Sequence, residues 1–259
     1  LTYCYFSRPN LLRLGLVTVA PTPARVDGCL ARLGVHRLAA VIPVHTHIDH
    51  ALDSALVAER TDALLVGGTS TANIGAGHGL GDDRVVVAEA GRLLSLGNYD
   101  VTLIASRHCP PDRFPGDITA PVVPPVRASA YRCGEAWSAL VAHRPTGRTL
   151  LIQGSAGFVP GALAGRHADV VYLGVGQLGL RPERYLRDYW AQTVGAVGAA
   201  TVVLVHWDDF FRPLTKPLRA VPFAADDLDF TMRVLSGLAA DAGVGLHLPR
   251  LWQREDPWR

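Results

Sequence analysis

No stretch of this 259-residue chain reaches the 18 or more consecutive apolar residues of a membrane span. The run from Val194 to Val205 is apolar but short, and Gly195 and Gly198 break it, so no integral membrane segment is expected. No basic run is interleaved with aromatics, and the net charge is only +2, which favours neither nucleic acid nor an acidic membrane as a partner. The four cysteines, Cys4, Cys29, Cys109 and Cys133, form no CxxC pair and no short-spaced metal set, which points to a reducing, cytoplasmic compartment. Repeats, low-complexity tracts and domain linkers are missing too. With 49% hydrophobic and 19% charged residues, a single domain over residues 1–259 can bury one large core or a two-layered sandwich. The chain opens with Leu1-Thr2-Tyr3-Cys4 rather than methionine, so an upstream strand, signal or lipid anchor is expected to be absent from it. A sheet that has lost an edge strand exposes its neighbour and favours a homo-oligomer.

What the chain does have is a hexapeptide, His45-Thr46-His47-Ile48-Asp49-His50, with three imidazoles and a carboxylate in six residues. It follows an apolar run, Ala39 to Val44, that reads as a buried strand, and it precedes Ala51 to Arg60, which reads as a helix. In extended chain His45 and His47 project to one side, and entry into the helix turns Asp49 and His50 toward the same space. Uncoordinated, these groups would crowd one loop with desolvated polar atoms. Two more histidines end strand-like runs: Tyr99 to Arg107 leads into His108, and Thr201 to Val205 leads into His206. A third run, Thr149 to Gly154, leads into Ser155.

The hexapeptide resembles the HxHxDH signature of the metallo-β-lactamase superfamily of metal-dependent hydrolases, matched without a gap. The resemblance implies an α/β fold, the four-layered αβ/βα sandwich, here lacking N-terminal strands, since only Leu1 to Phe6 and Leu14 to Ala20 precede the motif as strand candidates. It implies His45, His47 and His108 around one metal, with Asp49, His50 and His206 around a second. The segments Tyr5 to Pro9, His50 to Asp53, Gly154 to Phe158 and His206 to Phe210 resemble a bacterial branch related to ascorbate-6-phosphate lactonases and N-acyl-phosphatidylethanolamine phospholipases D. Ser155 stands where the superfamily usually has an aspartate bridging two metals. With Asp49 as the only anionic ligand, two dications and a bridging hydroxide retain about two positive charges by formal counting, which makes a single tightly held ion an alternative to two. Asp208 or Asp209 supplies the missing anion, as ligand or as a partner to an imidazole, or both are solvated loop acids.

The implied cofactor is a divalent metal, zinc first, with manganese or iron as alternatives, because His and carboxylate ligands suit all three. The implied reaction is hydrolysis of a small-molecule ester, lactone, amide or phosphodiester, with Asp49 as metal ligand and water-orienting catalytic group and with Ser155 and Asp208 as substrate-binding candidates. A non-catalytic metal-binding protein and an iron-dependent oxidoreductase on the same fold are the competing classes. Cys109 follows His108 but points to the opposite face of an extended chain, which makes it a structural thiol. The proline-rich segment Pro110 to Pro125 is a loop, either a substrate lid or a rigid surface connection. Gly67-Gly68-Thr69-Ser70 and the GxGxxG of Gly174 to Gly179 are better explained by tight turns than by a nucleotide, since Pro182 interrupts early and no acid closes the next strand. Further helices are expected at Ala24 to Leu33, Pro182 to Val197 and Asp226 to Ala242, and further strands at Ala128 to Tyr131, Ser138 to His143 and Asp169 to Leu173.

Overall fold

In the computed structural model, which describes residues 1–258, the chain forms two units. The first comprises Leu1–Glu89, Asp112–Ala136 and Phe210–Leu218; the second comprises Ala90–Pro111, Trp137–Asp209 and the chain from Arg219 onward. Both contain a sheet and helices, giving the mixed α/β class with two sheets that the sequence implies.

In the first unit α1 (Leu11–Leu16), α2 (Pro23–Leu33), β1 (Ala40–Val41), α3 (Ile48–Ala51), α4 (Ser54–Arg60), β2 (Leu64–Gly67), α5 (Thr69–His78) and β3 (Val85–Val87) follow in order. Its three strands pair in parallel as β1-β2-β3, with Ala40 opposite Leu64 and Leu65 opposite Val85. Helix α2 starts on Pro23, whose missing N–H costs nothing in the first turn, and ends on Gly34 at φ 62°. Its buried Val26, Cys29 and Leu30 recur at i, i+3 and i+4, the spacing of one helix face. Helix α5 carries two glycines where helix formers would be expected; Gly75 and Gly77 are there because a Cβ at Gly75 would stand 3.0 Å from a methyl of Val85, and one at Gly77 1.9 Å from the Val122 carbonyl oxygen.

Two strand expectations at the N-terminal side are corrected. Of Leu14 to Ala20, the first three residues belong to helix α1, capped by Asn10, whose Oδ1 accepts the Arg13 N–H at 2.9 Å, and Val19 makes only an isolated antiparallel bridge with Val126. Leu1 to Phe6 forms no named strand, although the Leu1 ammonium donates to the Ala40 carbonyl at 3.0 Å and Ile42 N–H to the Leu1 carbonyl at 2.8 Å. The run Ala39 to Val44 keeps only two residues as strand, because Pro43 has no N–H to give to a ladder. Ala128 to Tyr131 is a 3₁₀ turn rather than a strand.

Asp53, fully buried, fastens the N-terminal segment: its carboxylate accepts Ser7 N–H at 2.7 Å and Ser7 Oγ–H at 2.5 Å. Burial pushes its pKa up to about 6, against the pull of the Ser7 and Phe6 donors. A carboxyl raised in the folded state favours folding most when protonated, so its contribution is complete below about pH 4 and is lost as pH climbs through 6. Asp53→Asn is therefore expected to flatten the pH dependence of unfolding between pH 4 and 7, removing a change of up to about 3 kcal/mol. Chemical denaturation of both proteins at stepped pH checks this; an unchanged slope would show that Asp53 is not the group titrating.

The second unit holds β4 (Leu93–Leu96), β5 (Tyr99–Ala105), β6 (Trp137–His143), β7 (Arg148–Gln153), β8 (Val170–Gly174), α6 (Glu183–Trp190), β9 (Thr201–Val205), α7 (Leu228–Ala242) and β10 (Gly245–His247). Its seven-stranded sheet runs β10-β9-β8-β7-β6-β5-β4, antiparallel from β4 to β7 and parallel from β7 to β10. The core packs Leu151, Val171, Leu173, Val202 and Leu204 of the central strands with Leu186, Tyr189 and Trp190 of α6 and Val234, Leu235 and Ala239 of α7. Helix α6 passes into a π-helical turn at Ala191–Gly195, so the helical stretch expected from Pro182 to Val197 is one element with two geometries. Helix α7 opens on Asp227, whose Oδ1 accepts Phe230 N–H at 2.9 Å, and closes on Gly243 in the left-handed region. No helix among the described residues is long and apolar enough to cross a membrane.

Candidate metal centre

The hexapeptide leaves the C-terminal end of β1 in the first unit. Thr46 anchors it, donating its amide to the Cys133 carbonyl and its hydroxyl to the Arg132 carbonyl, both at 2.7 Å. Because neighbours in extended chain alternate in direction, Thr46 held on one side leaves His45 and His47 on the other, with ring centroids 4.9 Å apart. Helix α3 then starts with His47 as N-cap (φ −58°, ψ 155°), and the amides of His50 and Ala51 both donate to the His47 carbonyl at 2.9 Å. That single turn carries Asp49 and His50 back toward His45.

His45, Asp49 and His50 come together as the spacing predicts. They are 1%, 8% and 2% exposed, and their ligand atoms all lie within 4.8 Å of one another. The His45 and His50 rings are 4.0 Å apart, and Asp49 Oδ2 is 3.3 Å from His50 Nε2. Donors at about 2.0–2.2 Å from a shared tetrahedral ion stand roughly 3.3–3.6 Å apart, so this set fits a divalent cation with small side-chain adjustment. Two imidazoles and a carboxylate are also borderline-hard ligands of the kind zinc, manganese and iron accept. The third imidazole, His47, turns its Nε2 to Asp112 Oδ1 at 3.1 Å and to the Phe114 carbonyl at 3.2 Å.

Segment 110–125 is irregular, and it is fastened. Ile118 N–H donates to Ser70 Oγ, Asn73 Nδ2 to the Ile118 carbonyl, Val122 N–H to the Asn73 carbonyl and Gly134 N–H to the Gly116 carbonyl, at 2.7–3.2 Å. Of the two roles open to it, these bonds support the rigid connection.

In the second unit, His108 lies three residues past β5 and His206 directly after β9. His108 Nδ1 is 2.7 Å from the Cys109 carbonyl, an acceptor, so Nδ1 carries the hydrogen and Nε2 is the ring's electron-pair donor. His206 sits at φ 60°, a conformation uncommon outside glycine. Gly176 makes room for its ring: a Cβ there would be 2.8 Å from His206 Nδ1. Ser155 Oγ accepts the Cys109 N–H at 3.0 Å, and its carbonyl accepts from Gln153 Nε2 at 3.0 Å and Tyr189 Oη at 3.2 Å. Its hydroxyl therefore shapes the turn that carries His108. Burial pushes the Cys109 thiol up to about 12, as fits a structural cysteine. Asp208 and Asp209 are both buried rather than solvated: Asp208 pairs with Ala220 as an isolated bridge, and Asp209 Oδ2 meets Arg219 Nη2 at 3.3 Å.

Both glycine-rich turns already hold an anion of their own. Asp226 accepts Gln177 N–H at 2.7 Å and Gly179 N–H at 3.0 Å, and Glu135 accepts Thr69 N–H at 2.7 Å and Ser70 N–H at 3.2 Å. The amides that would cradle a phosphate are filled by carboxylates of the chain, which accounts for the glycines without a nucleotide. Asp226 is buried, which raises its pKa, with the amides and His206 pulling the other way. Thr46, Asp112, Gln153 and Asp226 were not legible as site residues. Only Asp112 had a local signal, an aspartate in a proline-rich turn two residues before an amide it can accept.

No family model and no curated protein matches the sequence. Solved structures do. The chain is similar to CmlA, a diiron beta-hydroxylase from Streptomyces venezuelae (TM-score 0.53, 15% identity, 83% of this chain and 44% of that one), so it spans under half of CmlA's length. It is similar to a possible metal-dependent hydrolase from Veillonella parvula (TM-score 0.52, 15% identity, 83% and 75%). YhfI, a metallo-beta-lactamase fold protein from Bacillus subtilis, matches at TM-score 0.48 and 13% identity over 90% and 83% of the two chains. With His45, Asp49 and His50 gathered just beyond a short parallel strand, the chain has a two-sheet α/β fold of the metallo-β-lactamase type.

Proposed function

We propose that this protein is a metal-dependent hydrolase acting on an ester, lactone, amide or phosphodiester. The observation that carries the reading is the buried set of His45, Asp49 and His50 with ligand atoms within 4.8 Å of one another. The superfamily resemblance adds His47, His108 and His206 as further ligands, and zinc is the first choice of metal. A divalent cation held there would supply Lewis-acid chemistry, lowering the pKa of water toward neutrality and polarising the bond to be cleaved. Asp49 would orient the attacking water through a carboxylate oxygen and accept its proton, which then goes to the leaving group. His50, buried on the α3 turn, and His45, buried on the strand exit that Thr46 fastens, flank that carboxylate and exclude bulk solvent. Asp208 serves as a substrate contact; the Ser155 hydroxyl supports the turn bearing His108 as well as facing substrate.

The test is turnover of bis(p-nitrophenyl) phosphate, p-nitrophenyl acetate and a homoserine-type lactone by zinc-, manganese- and iron-loaded protein and by the chelated protein. Metal-dependent turnover of at least one is expected, and none under any loading would contradict the reading. The likeness to a diiron hydroxylase favours a second reading, iron-dependent oxidation; iron retained through purification with oxygen consumption would select it. Because a carboxylate at position 155 would neutralise charge between two ions, Ser155→Asp is expected to raise the metal bound per chain, read by plasma mass spectrometry. Equal content in both proteins would mean that charge at this position does not limit occupancy.

A further inference from the structure

We infer that Asp112 is a positioning residue for His47, holding its ring in the tautomer that presents Nδ1 to a metal; this rests on the proposed reading of His47 as a ligand. Two acceptors face His47 Nε2: Asp112 Oδ1 at 3.1 Å and the Phe114 carbonyl oxygen at 3.2 Å. A carboxylate oxygen and a carbonyl oxygen have no hydrogen to give, so Nε2 carries the ring's hydrogen. In the neutral ring a metal requires, the electron pair is then on Nδ1.

The arrangement is built locally. Phe114 N–H donates to the same Asp112 Oδ1 at 3.0 Å, closing an Asx turn that puts the Phe114 carbonyl beside the Asp112 carboxylate. That carbonyl also accepts Cys133 N–H at 2.9 Å, and Cys133 follows Arg132, whose carbonyl takes the Thr46 hydroxyl. The strand exit bearing His47 and the turn that orients its ring are thus tied to one short segment. His47, Asp112 and Cys133 also have donor atoms within 4.8 Å of one another, which a metal set of their own would require. The Phe114 carbonyl oxygen, within hydrogen-bond range of Nε2 beside the carboxylate, favours the hydrogen-bonded use, because a nitrogen bound to metal has no hydrogen to give it. Carboxylate partners of this kind fix the orientation and basicity of ligating imidazoles.

Long-range ¹H–¹⁵N correlation spectra of metal-free protein labelled at histidine read the tautomer directly. His47 is expected as the Nε2–H form in wild type, to remain so in Asp112→Asn, whose Oδ1 still accepts, and to become a mixture in Asp112→Ala. Zinc affinity, measured against a competing chelator, is expected to fall about 10–100-fold in Asp112→Ala and to stay close to wild type in Asp112→Asn. An Nδ1–H form in the wild type overturns the inference even if Asp112→Ala does not fold. So does a thiolate-to-cobalt charge-transfer band in cobalt-loaded protein that Cys133→Ser abolishes, since Cys133 would then be a ligand. Failure of the underlying reading looks different: His47→Ala would leave zinc affinity unchanged while the metal-free spectra still show the Nε2–H form.

Discussion

Asp49→Ala is expected to lower metal-dependent turnover by about a thousandfold or more, because the variant loses the set's only carboxylate and its water-orienting group together. Asp49 is 8% exposed and touches His50 at 3.3 Å, so its removal leaves two buried imidazoles without the negative charge that offsets a dication between them. Asp49→Asn separates the two contributions. Its amide keeps a neutral oxygen ligand but accepts no proton, so metal content should fall less than activity does. The measurement is kcat/KM on whichever chromogenic substrate the wild type hydrolyses, alongside metal content for each protein. Activity within tenfold of wild type in Asp49→Ala would remove Asp49 from the chemistry.

Gly77→Ala is expected to have the largest effect on stability. Helix propensity alone favours alanine by about 1 kcal/mol at a helix interior. At this position the added Cβ would stand 1.9 Å from the Val122 carbonyl oxygen, 2.3 Å from its carbon and 2.7 Å from its nitrogen, all backbone atoms that no rotamer change can move aside. Overpacking of this kind costs roughly 1–3 kcal/mol and more when backbone must shift, so the net change is a destabilisation of about 2 kcal/mol or greater, a fall in Tm of about 5–8 °C. Val122 belongs to the fastened segment 110–125, and the same strain should loosen the Val122 to Asn73 hydrogen bond. Gly28→Ala is the internal control. It lies inside α2 with nothing within 4 Å of its Cβ position, and there alanine should stabilise by about 0.5–1 kcal/mol. Thermal melts of the two variants moving in the same direction would contradict the steric explanation.

Where the chain's local signals agree with its tertiary setting, the elements could be read in advance. Helix α7 between Asp227 and Gly243, α2 between Pro23 and Gly34, and β9 from Thr201 to Val205 lie close to their expected bounds, each marked by a cap, a proline, a glycine or a β-branched run. The hexapeptide was legible because its chemistry is compressed into six adjacent residues, so that one strand exit and one helical turn suffice to gather His45, Asp49 and His50. Helix α5 was not legible. Its sequence, TSTANIGAGH, is poor in helix formers, and what holds it is close packing on Leu65 and Val85 that its glycines permit. The strand expected at Ala128 to Tyr131 failed for the opposite reason, a four-residue apolar patch too short to distinguish a strand from a turn. Asp112 and Glu135 escaped notice, and Asp226 was read only as the opening of α7, because each acts on backbone or ring atoms dozens of residues away, 65 in the case of Asp112 and His47 by their numbering, and no periodicity encodes such a pairing. Ser155 was singled out for the carboxylate it replaces. Its hydrogen bond with Cys109 gives it a structural duty that spacing alone could not reveal.

Metal content per chain, by plasma mass spectrometry on protein purified without added metal and again after loading and desalting, bears most directly on the proposed centre. At least one equivalent of zinc, manganese or iron in the wild type is expected, falling to a small fraction in His45→Ala and His50→Ala proteins that keep their fold by circular dichroism. A wild type that retains no stoichiometric metal after loading, or variants that hold as much as the wild type, would contradict the assignment of the hexapeptide as a metal centre.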